Sequence, residues 1–519
     1  MDKVLNVWDR IKEKVKMVIV WDSRGMSHYY SEYPFLERFE RVIEIGAEEE
    51  VGQLDFLSKM AETIDPYAPA LLLTTSGTTS TPKLSILSHH DLLWASASFG
   101  KMVPLQKGDE LLSISPLPWI GGQGFDLCRF LMVGAHYNFP EETETVQQDL
   151  IELQPFYFGG TPVVWELLIA TIQAAMDNAD FVKRYFYHLA INTALKCTEA
   201  ELADKDPGSW HRTLNKILHF FVLRPLKNKV GLERIRVAVT GGGAISPEVF
   251  KYFKALGIDL RQVYGQTECS GIATTHWGND VRPETVGVPL PGVDIKISTE
   301  GEILIKGENV HLGYWKREEA DRENFTEDGY LRTGDTGYLG EDGHLYVLDR
   351  FKDIMTLKDG TKFAPQDIET RLKFSAYIYE AMVIGTDRSS VAAIVSVNLE
   401  NVGNWAKKRG ISYTTVQDLS QRTEVYDLVR GELTKLCERF PDNIRIKRFA
   451  ILLKELHPDD GELTRTRKVR RGFVTERYHD LIEDLYSDRN EHLLDIDIRY
   501  EDGRISKLKG PVTIQEVSY

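Results

Sequence analysis

The chain has 519 residues, which is enough for two or three domains rather than one hydrophobic core. Hydrophobic residues make up 42% of it and charged residues 27%, proportions typical of a globular protein in water. The formal net charge of −15 argues against a nucleic-acid-binding protein, because contacts with the phosphate backbone require a basic face. It still allows a local basic groove for an anionic nucleotide.

The cysteines and the amino terminus indicate where the protein works. Four cysteines lie far apart without a CxxC pair, so we expect buried thiols in a reducing compartment rather than a metal site or a disulfide framework. The sequence MDKVLNVWDRIKEK lacks the apolar core of a secretory signal, and no apolar run approaches the length of a membrane span. These features predict a cytoplasmic protein and leave peripheral contact with a membrane open.

Strands and helices alternate through the first two-thirds of the chain. Residues 70–75 and 234–240 are apolar runs typical of buried strands, and each runs into a loop rich in glycine or hydroxyl residues. Ser246 followed by Pro247 predicts a helix start, with serine as N-cap and proline in the first position. A further strand is predicted at 260–263. The alternation predicts α/β layers whose strand ends carry exposed loops.

The pattern changes after residue 300, where short strands at 301–307 and 343–350 are bounded by glycine and aspartate turns. The final residues alternate apolar and polar positions across an EDG turn, which predicts a β-hairpin. The predicted fold class is α/β. We expect a large multi-layer N-terminal domain with a β-rich subdomain (1–348), a hinge (349–353), a small mobile α+β C-terminal domain (354–487) and a terminal β-hairpin extension (488–519).

The segment 74–83, TTSGTTSTPK, is the first candidate for a binding site. Backbone N–H and hydroxyl groups in such a loop can wrap phosphate oxygens, and Lys83 adds a positive charge for the β- and γ-phosphates. The loop is not a Walker A motif, because GxxxxGK[ST] is absent. Taken alone, a loop of this composition is more often a polar surface turn than a site.

Three later motifs place charged residues after predicted strands or turns. YGQTE (264–268) puts a hydroxyl and the carboxylate of Glu268 together, and such a carboxylate can hold Mg²⁺ against phosphate oxygens. YLRTGD (330–335) puts Asp335 after a tight turn, where it suits ribose hydroxyls. DRFKD (349–353) adds Arg350 and Lys352 at the predicted hinge.

These motifs, in this order over residues 70–475, resemble the adenylate-forming (AMP-binding) enzyme superfamily, which includes acyl-CoA synthetases, luciferases and peptide-synthetase adenylation domains. The loop TTSGTTSTPK is similar to the phosphate loop of that superfamily, GGGAIS to its adenine-side segment and YGQTE to its nucleotide and magnesium motif. YLRTGD resembles its ribose-binding motif and DRFKD its hinge. GELTRTRKVRR (461–471) resembles its C-terminal catalytic-lysine segment.

The resemblance implies ATP, Mg²⁺ and CoA as cofactor and co-substrates. It implies three catalytic residues, Thr267, Glu268 and Lys468, of which Glu268 would also bind the metal. Lys468 would bridge the substrate carboxylate and the α-phosphate, an electrostatic role in phosphoryl-type chemistry. The implied nucleotide-binding residues are Thr75, Ser76, Gly77, Thr78, Thr79, Lys83, Gly242, Gly243, Ala244, Tyr264, Asp335, Arg350 and Lys352.

Three features are similar to long-chain acyl-CoA synthetases and favour a medium- or long-chain fatty acid as substrate: the helical insertion at 156–196, the run TLKDGTKFAPQDIE (356–369) and the form GELTRTRKVRR. An aspartate for a substrate amine is missing near VAVTGGG, which argues against an amino acid. The basic residues Arg465, Arg467, Arg470 and Arg471 would serve the phosphates of CoA or form a solvated face. We expect the acid pocket to be lined by Trp119, Phe125, Phe158 and Val239.

Two alternatives stay open from the sequence. One is an acyl-AMP ligase that loads a carrier protein, and the other is a catalytically silent relative that binds nucleotide or acyl groups. The second alternative rests on the front of the chain, because the phosphate loop begins at Thr74 and we expect the usual N-terminal segment of the family to be missing. A homodimer is also left open.

Overall fold

The structure is a computed structural model that describes residues 1–50, 55–75, 83–464, 469–499 and 505–519. The chain divides into two compact units, Met1–Ala68 and Pro69–Tyr519. The predicted boundaries at 348, 353 and 487 fall inside the second unit and stay predictions. Among the described residues, no helix combines the length and the apolar character that a membrane span requires.

The first unit contains short helices and one pair of parallel strands. The strands Val18–Val20 and Leu36–Arg38 pair with Val18 opposite Leu36, and the Leu36 side chain is buried. The ring of Trp8 stacks on that of Phe35 with centroids 3.5 Å apart. The helices are Asp2–Leu5, Trp8–Ile11, Ser27–Glu32, Phe39–Glu50 and Phe56–Thr63.

The second unit is built on a seven-stranded sheet. Five strands pair in parallel, and two short strands extend one edge in the antiparallel sense. The mixed α/β arrangement confirms the predicted fold class. In spatial order the strands are Val288–Pro289, Thr274–Thr275, Leu260–Tyr264, Val237–Thr240, Tyr157–Gly160, Glu110–Leu112 and His136–Asn138.

Helices pack against this sheet through two hydrophobic cores, one containing Phe158 and Ala238 and the other containing Tyr157 and Val239. Trp165 and Phe253, from two different helices, meet edge to face with ring centroids 4.9 Å apart, and Trp165 also contacts Phe158 of strand Tyr157–Gly160. The side chain of Ser246 accepts the backbone N–H of Glu248, so the helix start predicted there is present. The helices of this part are His89–Met102, Gly121–Cys128, Arg129–Val133, Thr143–Thr145, Val146–Leu153, Pro162–Asp177, Phe181–Leu202, Ser209–Leu218, His219–Leu223, Arg224–Lys229, Pro247–Ala255, Thr267–Cys269, Glu318–Asn324 and Phe351–Asp353.

Two smaller sheets hold the 75–83 loop and two of the later predicted motifs. Strands Pro69–Thr74 and Leu84–Ser88 pair in the antiparallel sense on either side of the 75–83 loop. A four-stranded antiparallel sheet carries the YLRTGD and DRFKD motifs on adjacent strands. Its strands are Val293–Ile297, Glu302–Gly307, Leu331–Leu339 and Leu345–Arg350.

The C-terminal part contains a five-stranded sheet in which the terminal hairpin takes part. Strand Ile505–Glu516 pairs with Ile446–Ile451, so the hairpin completes the sheet rather than standing apart from it. In spatial order the strands are Ile378–Ile384, Val391–Val397, Ile446–Ile451, Ile505–Glu516 and Glu491–Arg499, with a separate pair Met355–Thr356 and Lys362–Phe363. The helices are Pro365–Leu372, Leu399–Lys408, Val416–Ser420, Thr423–Cys437, Asp442–Ile444, Arg471–Arg477 and His479–Leu485.

The C-terminal part is held against the large sheet by an ionic contact beside an apolar one. One carboxylate oxygen of Glu248 lies 3.3 Å from the guanidinium of Arg371 and 3.0 Å from that of Arg439. Burial alone would raise the pKa of Glu248, but the Ser246 hydroxyl and Arg371 hold it below its usual value. The ring of Phe374 packs against the hydrophobic cores of both parts.

A second polar cluster lies in the same contact. Helix Pro162–Asp177 carries Glu166 into a small cavity that Lys373 and Glu380 of the C-terminal part also line. The Lys373 ammonium lies 3.5 Å from Glu380, and burial raises the pKa of Glu380 to about 7. Separating the two parts would therefore break the ion pairs of Glu248, take Glu166 away from Lys373 and expose Phe374.

We expect Glu248→Gln to weaken this contact, because it leaves two arginines facing a neutral amide. The contact is partly exposed, so the expected loss is about 1–2 kcal/mol, or roughly a tenfold rise in the separated form. Limited trypsin digestion measures this as faster cleavage after Arg350 or Lys352. Glu318→Gln, on an exposed helix, is the control, and equal cleavage rates in the two variants would contradict the assignment.

Candidate functional site

Two neighbouring parallel strands of the large sheet, Val237–Thr240 and Leu260–Tyr264, are each followed by glycine, and the next parallel strand, Tyr157–Gly160, ends in two glycines. A Cβ on Gly241 would lie 2.4 Å from the Val263 side chain, and one on Gly265 would lie 2.5 Å from the carbonyl oxygen of Gly271. Residues with side chains do not fit at either position, so bare backbone forms this wall. Ligands of open α/β sheets bind outside the carboxyl ends of the strands, where this wall lies.

A cavity of about 820 Å³ opens at this edge. Residues from several predicted motifs line it together, although they are far apart in the sequence. They are Thr75, Lys83, Gly242, Thr267, Glu268, Arg350 and Lys352. The same cavity has an apolar wall that includes Trp119, Phe125 and Val239, which were predicted to line an acid pocket.

Glu268 is held in place by a tyrosine from a distant part of the chain. The Tyr314 hydroxyl donates to a carboxylate oxygen of Glu268 at 2.7 Å, and the backbone carbonyl of Glu268 accepts the N–H of His311 at 2.9 Å. Burial and the nearby carboxylate raise the pKa of Tyr314, so it stays a hydrogen-bond donor. The Lys83 ammonium lies 4.7 Å from the centre of the Tyr314 ring, a cation–π distance.

Asp335 and Arg350 face each other on paired strands of the four-stranded sheet. The Arg350 guanidinium lies 3.1 Å from one carboxylate oxygen of Asp335, and the Tyr264 hydroxyl donates to the other at 2.7 Å. Burial and Asp335 raise the pKa of Tyr264. The structure thus brings together three residues that the sequence assigned to the nucleotide.

Other predicted residues lie beside the cavity or outside the described residues. Tyr264, Asp335, Gly243 and Ala244 are not among the described residues that line it, although Gly334 and Gly242 next to them are. Ser76, Gly77, Thr78, Thr79 and Lys468 lie outside the described residues.

The predicted position of Phe158 is wrong. Successive side chains of a strand point to opposite faces, and here Tyr157 and Gly159 line the cavity. Phe158 instead lies in the core behind the sheet, where it contacts Trp165.

A π-helical segment, Gly121–Cys128, brings a buried carboxyl to the cavity wall. Asp126 accepts a hydrogen bond from Ser113 at 3.1 Å, and burial raises its pKa to about 7. Arg129 follows three residues later, and its guanidinium lies 5.0 Å from the centre of the Tyr157 ring. Within the described residues, two of the guanidinium nitrogens of Arg129 have no hydrogen-bond partner. Such π-helical turns occur frequently at functional sites.

The predicted hinge is tied to the C-terminal part by its own first residue. The carboxylate of Asp349 accepts the backbone N–H of Arg350 at 2.7 Å and that of Gln366 at 2.9 Å. Burial raises the pKa of Asp349 to about 6. Asp349 therefore fixes the backbone on both sides of the turn that contains Lys352.

Arg471 does not serve as a free cation next to Lys468, contrary to one of the sequence expectations. Its guanidinium donates to both carboxylate oxygens of Glu369, at 2.8 and 2.9 Å, and to the Val383 carbonyl at 2.8 Å. All three contacts anchor the start of the helix Arg471–Arg477. These contacts indicate a structural role, because both Nη nitrogens of the guanidinium already donate within the C-terminal part.

The residues around Glu268 fit the magnesium ion that the sequence implies. Mg²⁺ takes oxygen ligands and usually binds to one or two carboxylates together with substrate phosphates. Glu268 supplies one such carboxylate on the cavity wall, and the neutral Tyr314 hydroxyl orients it without cancelling its charge. A cage made only of protein ligands is not expected, and among the described residues no cluster of three acidic, histidine or cysteine side chains is present.

Sequence reasoning missed Tyr314, Tyr157 and Asp126. Tyr314 lies 46 residues from Glu268 in the chain, and no local pattern connects the two. Asp126 lies in a glycine-rich apolar stretch, GGQGFDLC, and the one signal available from the sequence was that this stretch contains a single acid.

Comparison with known proteins places these motifs in a family. The model of the AMP-binding enzyme family matches residues 8–315, and the model of the AMP-binding enzyme C-terminal domain matches residues 352–490. The first match alone covers more than half of the chain. The resemblance on which the sequence predictions relied is thereby confirmed.

Similar curated proteins include a long-chain-fatty-acid–CoA ligase of Mycobacterium bovis, 29% identical over 455 residues, or 86% of this chain and 74% of the relative. A long-chain-fatty-acid–CoA ligase of Rattus norvegicus is 27% identical over 94% of this chain and 76% of the relative.

Among solved structures, the adenylation domain of a carboxylate reductase from Mycobacterium chelonae matches with a TM-score of 0.61 and 21% identity, over 82% of this chain and 61% of that one. The ATP-bound MatB of Rhodopseudomonas palustris matches with a TM-score of 0.55 and 20% identity, over 80% and 70%. These likenesses confirm the fold.

Asp126 gives the cavity wall a pH-dependent stability. Its pKa in the folded protein is about 7, above the ordinary value of 3.8, so its stabilising contribution is complete below pH 4 and is lost as the pH rises through 7. Asp126→Asn removes this loss. At about 1.4 kcal/mol per pH unit, the variant should gain at most about 4 kcal/mol over the wild type above pH 8.

Thermal unfolding at pH 5 and pH 8.5 measures this gain as a smaller fall of Tm with pH in the variant. Asp442→Asn, which changes an exposed carboxylate, should follow the wild type at both values. If Tm falls equally with pH in the wild type and in Asp126→Asn, Asp126 is ionised in the folded protein throughout this pH range.

Proposed function

Because the chain belongs to the AMP-binding enzyme family, we propose that it is an ATP-dependent acid–thiol ligase that joins a medium- or long-chain fatty acid to CoA. The named relatives support this substrate, since both are long-chain-fatty-acid–CoA ligases. The observation that carries the proposal is a single cavity with both kinds of wall. The residues proposed to bind phosphate and the carboxylate of Glu268 line it together with a set of apolar side chains.

The polar wall suits the nucleotide. Backbone at Gly241 and Gly242 lets a planar base approach closely, and Thr267 offers a hydroxyl beside the carboxylate of Glu268. Asp335, oriented by Arg350 and Tyr264, is the acceptor proposed for the ribose hydroxyls. Lys83 and Arg350 supply positive charge for the phosphates.

The apolar wall suits a hydrocarbon chain. Trp119, Ile120 and Phe125 come from the turn and the π-helical segment, while Val164 comes from helix Pro162–Asp177 and Val239 from a strand of the large sheet. Apolar surface removed from water contributes about 25 cal/mol per Å², so binding should strengthen with each methylene that the wall covers.

In the first half-reaction, a carboxylate oxygen of the acid attacks the α-phosphorus of ATP and pyrophosphate leaves. Thr267 is proposed to orient the α-phosphate, and Lys468 to offset the negative charge that develops between the two reactants. When Mg²⁺ is bound, it neutralises phosphate charge, and Glu268 is the residue that would hold it.

In the second half-reaction, the CoA thiolate attacks the acyl carbonyl carbon and AMP leaves. The same site then has to exchange Lys468 for a path that admits the thiol. Movement of the C-terminal part about residues 349–353 is the proposed gate, and domain hinges of this kind commonly sequence two steps. The contacts of Glu248 and Phe374 are those that such a movement would break.

CoA is favoured over a carrier protein as acceptor, because the named relatives are CoA ligases. We propose that the enzyme works in the cytoplasm in peripheral contact with a membrane, where its acid is concentrated. A homodimer is testable by light scattering on the same preparation.

The first test is AMP release by the purified chain with Mg·ATP, using acids of increasing length with and without CoA. Release that requires both acid and CoA supports the ligase and gives its chain-length range. Release that requires acid and a phosphopantetheinyl carrier protein, but not CoA, would identify an acyl-AMP ligase. Bound ATP without turnover in any arm would identify the silent relative.

Variants test the residue roles within an active enzyme. Asp335→Asn should weaken ATP binding by about 10- to 100-fold, because hydrogen bonds to a charged group contribute about 1.5–3 kcal/mol. Asp328→Asn changes an exposed acid of the same subdomain and should leave binding unchanged. Lys468→Ala should abolish acid-dependent ATP–pyrophosphate exchange, and normal exchange in that variant would remove Lys468 from the mechanism.

A further inference from the structure

Residues 209–229 form a basic segment in an acidic protein. The sequence SWHRTLNKILHFFVLRPLKNK contains five lysine or arginine residues and two histidines but no aspartate or glutamate, in a chain whose net charge is −15. It folds as the helix Ser209–Leu218, the π-helical turn His219–Leu223 and the helix Arg224–Lys229. We refer to these residues as the basic segment.

The basic segment is apolar on two faces. Leu218 and Leu223 are buried in the main core of the large sheet and fix the segment to the body of the protein. Trp210, Ile217 and Phe221 follow one another at helical spacing and are 71%, 50% and 71% exposed. An outward stripe of this kind is not needed for folding and indicates a contact with something else.

A second exposed apolar group lies on the helix that packs against the basic segment. Helix Phe181–Leu202 contacts both Ser209–Leu218 and the π-helical turn. Its first turns carry Phe181 and Tyr185, which are 72% and 56% exposed, with the exposed basic residues Lys183 and Arg184 between them. Aromatic and basic side chains therefore alternate on both elements.

We propose that the basic segment and the first turns of helix Phe181–Leu202 form a docking surface for a bilayer that contains anionic phospholipids. Exposed aromatic rings fit the boundary between headgroups and acyl chains, and the lysine and arginine side chains fit the lipid phosphates. Arg212 and Arg224 have exposed ion pairs with Asp206 and Glu233, which are weak enough to exchange for a lipid phosphate.

Charge favours a membrane over a second copy of the chain as the occupant. A two-fold dimer through this surface would place the same basic segment against itself. An anionic bilayer instead offers the opposite charge over the whole surface. This surface would also bring the enzyme to its substrate, which rests on the proposed function, because a fatty acid is held in the bilayer. Helix Pro162–Asp177, which lines the cavity with Val163 and Val164, leads directly to Phe181 of the surface.

Sedimentation with vesicles tests the docking surface independently of catalysis. The full chain should bind vesicles of phosphatidylcholine with phosphatidylglycerol at least tenfold more strongly than phosphatidylcholine alone, and added salt should weaken the binding. Trp210→Ser with Phe221→Ser should reduce binding at least tenfold, as should Lys216→Glu with Lys229→Glu. The matched controls, Trp277→Ser for the rings and Lys407→Glu with Lys408→Glu for the charges, alter exposed residues elsewhere and should bind like the wild type.

AMP release with a water-soluble acid separates this inference from the proposed function. Docking variants that keep this activity but lose vesicle binding support the surface, and vesicle binding can be read even if the chain proves inactive. A wild type that does not sediment with anionic vesicles would overturn the proposal. So would docking variants that bind vesicles normally, including ones that change only the oligomeric state seen by light scattering.

Discussion

The close approach of neighbouring chain to two glycines at one edge of the large sheet is the constraint on which the site depends. Gly265 lies so near Gly271, and Gly241 so near Val263, that no other residue fits at either position. The strand ends can therefore come together without side chains between them, and a wide cavity opens above. Glu268 leaves this wall one turn later, in a 3₁₀ turn that aims its carboxylate into the opening.

The proposed hinge movement requires that the contact between the large sheet and the C-terminal part both hold and separate. The contact relies on one carboxylate, Glu248, shared by two arginines, and on one ring, Phe374, shared by two cores. A contact made of a few partly exposed charges is weak compared with a continuous apolar interface. Within the C-terminal part, by contrast, Arg471 donates to both carboxylate oxygens of Glu369, so these two residues should move as a rigid unit.

Local pattern carried much of the prediction and failed where the answer depended on distant packing. Ser246 with Pro247 marked a helix start because capping is a local property. The motifs that supply Gly242, Thr267, Glu268 and Arg350 were also readable, because each is a short run after a strand or at a strand end. The side on which Phe158 lies was not readable, because a shift of one residue along a strand reverses the face.

The partner of Arg471 shows the same limit for charged residues. From the sequence alone, a run of arginines beside a predicted catalytic lysine indicates a phosphate-binding site. In the structure, Glu369, which comes about a hundred residues earlier in the chain, already accepts hydrogen bonds from the guanidinium of Arg471. Composition describes how much charge a segment carries, and only the fold determines whether that charge is still available. The acid-free stretch at 209–229 is the opposite case, since most of its basic residues are exposed although the whole chain is acidic.

Three carboxyl groups at the site share one arrangement, which explains how the site can be both buried and charged. Tyr314 donates to Glu268, Tyr264 to Asp335 and Ser113 to Asp126. A neutral hydroxyl fixes a carboxylate in direction without cancelling its charge, whereas a lysine or arginine would do both. Asp335 also has the Arg350 guanidinium 3.1 Å from its other carboxylate oxygen. Around Asp126 burial outweighs both the hydrogen bond from Ser113 and the charge of Arg129, and the pKa of Asp126 rises to about 7. Hydroxyl-held carboxyl groups and apolar side chains thus meet at one cavity, which is what a reaction between a nucleotide and an apolar acid requires.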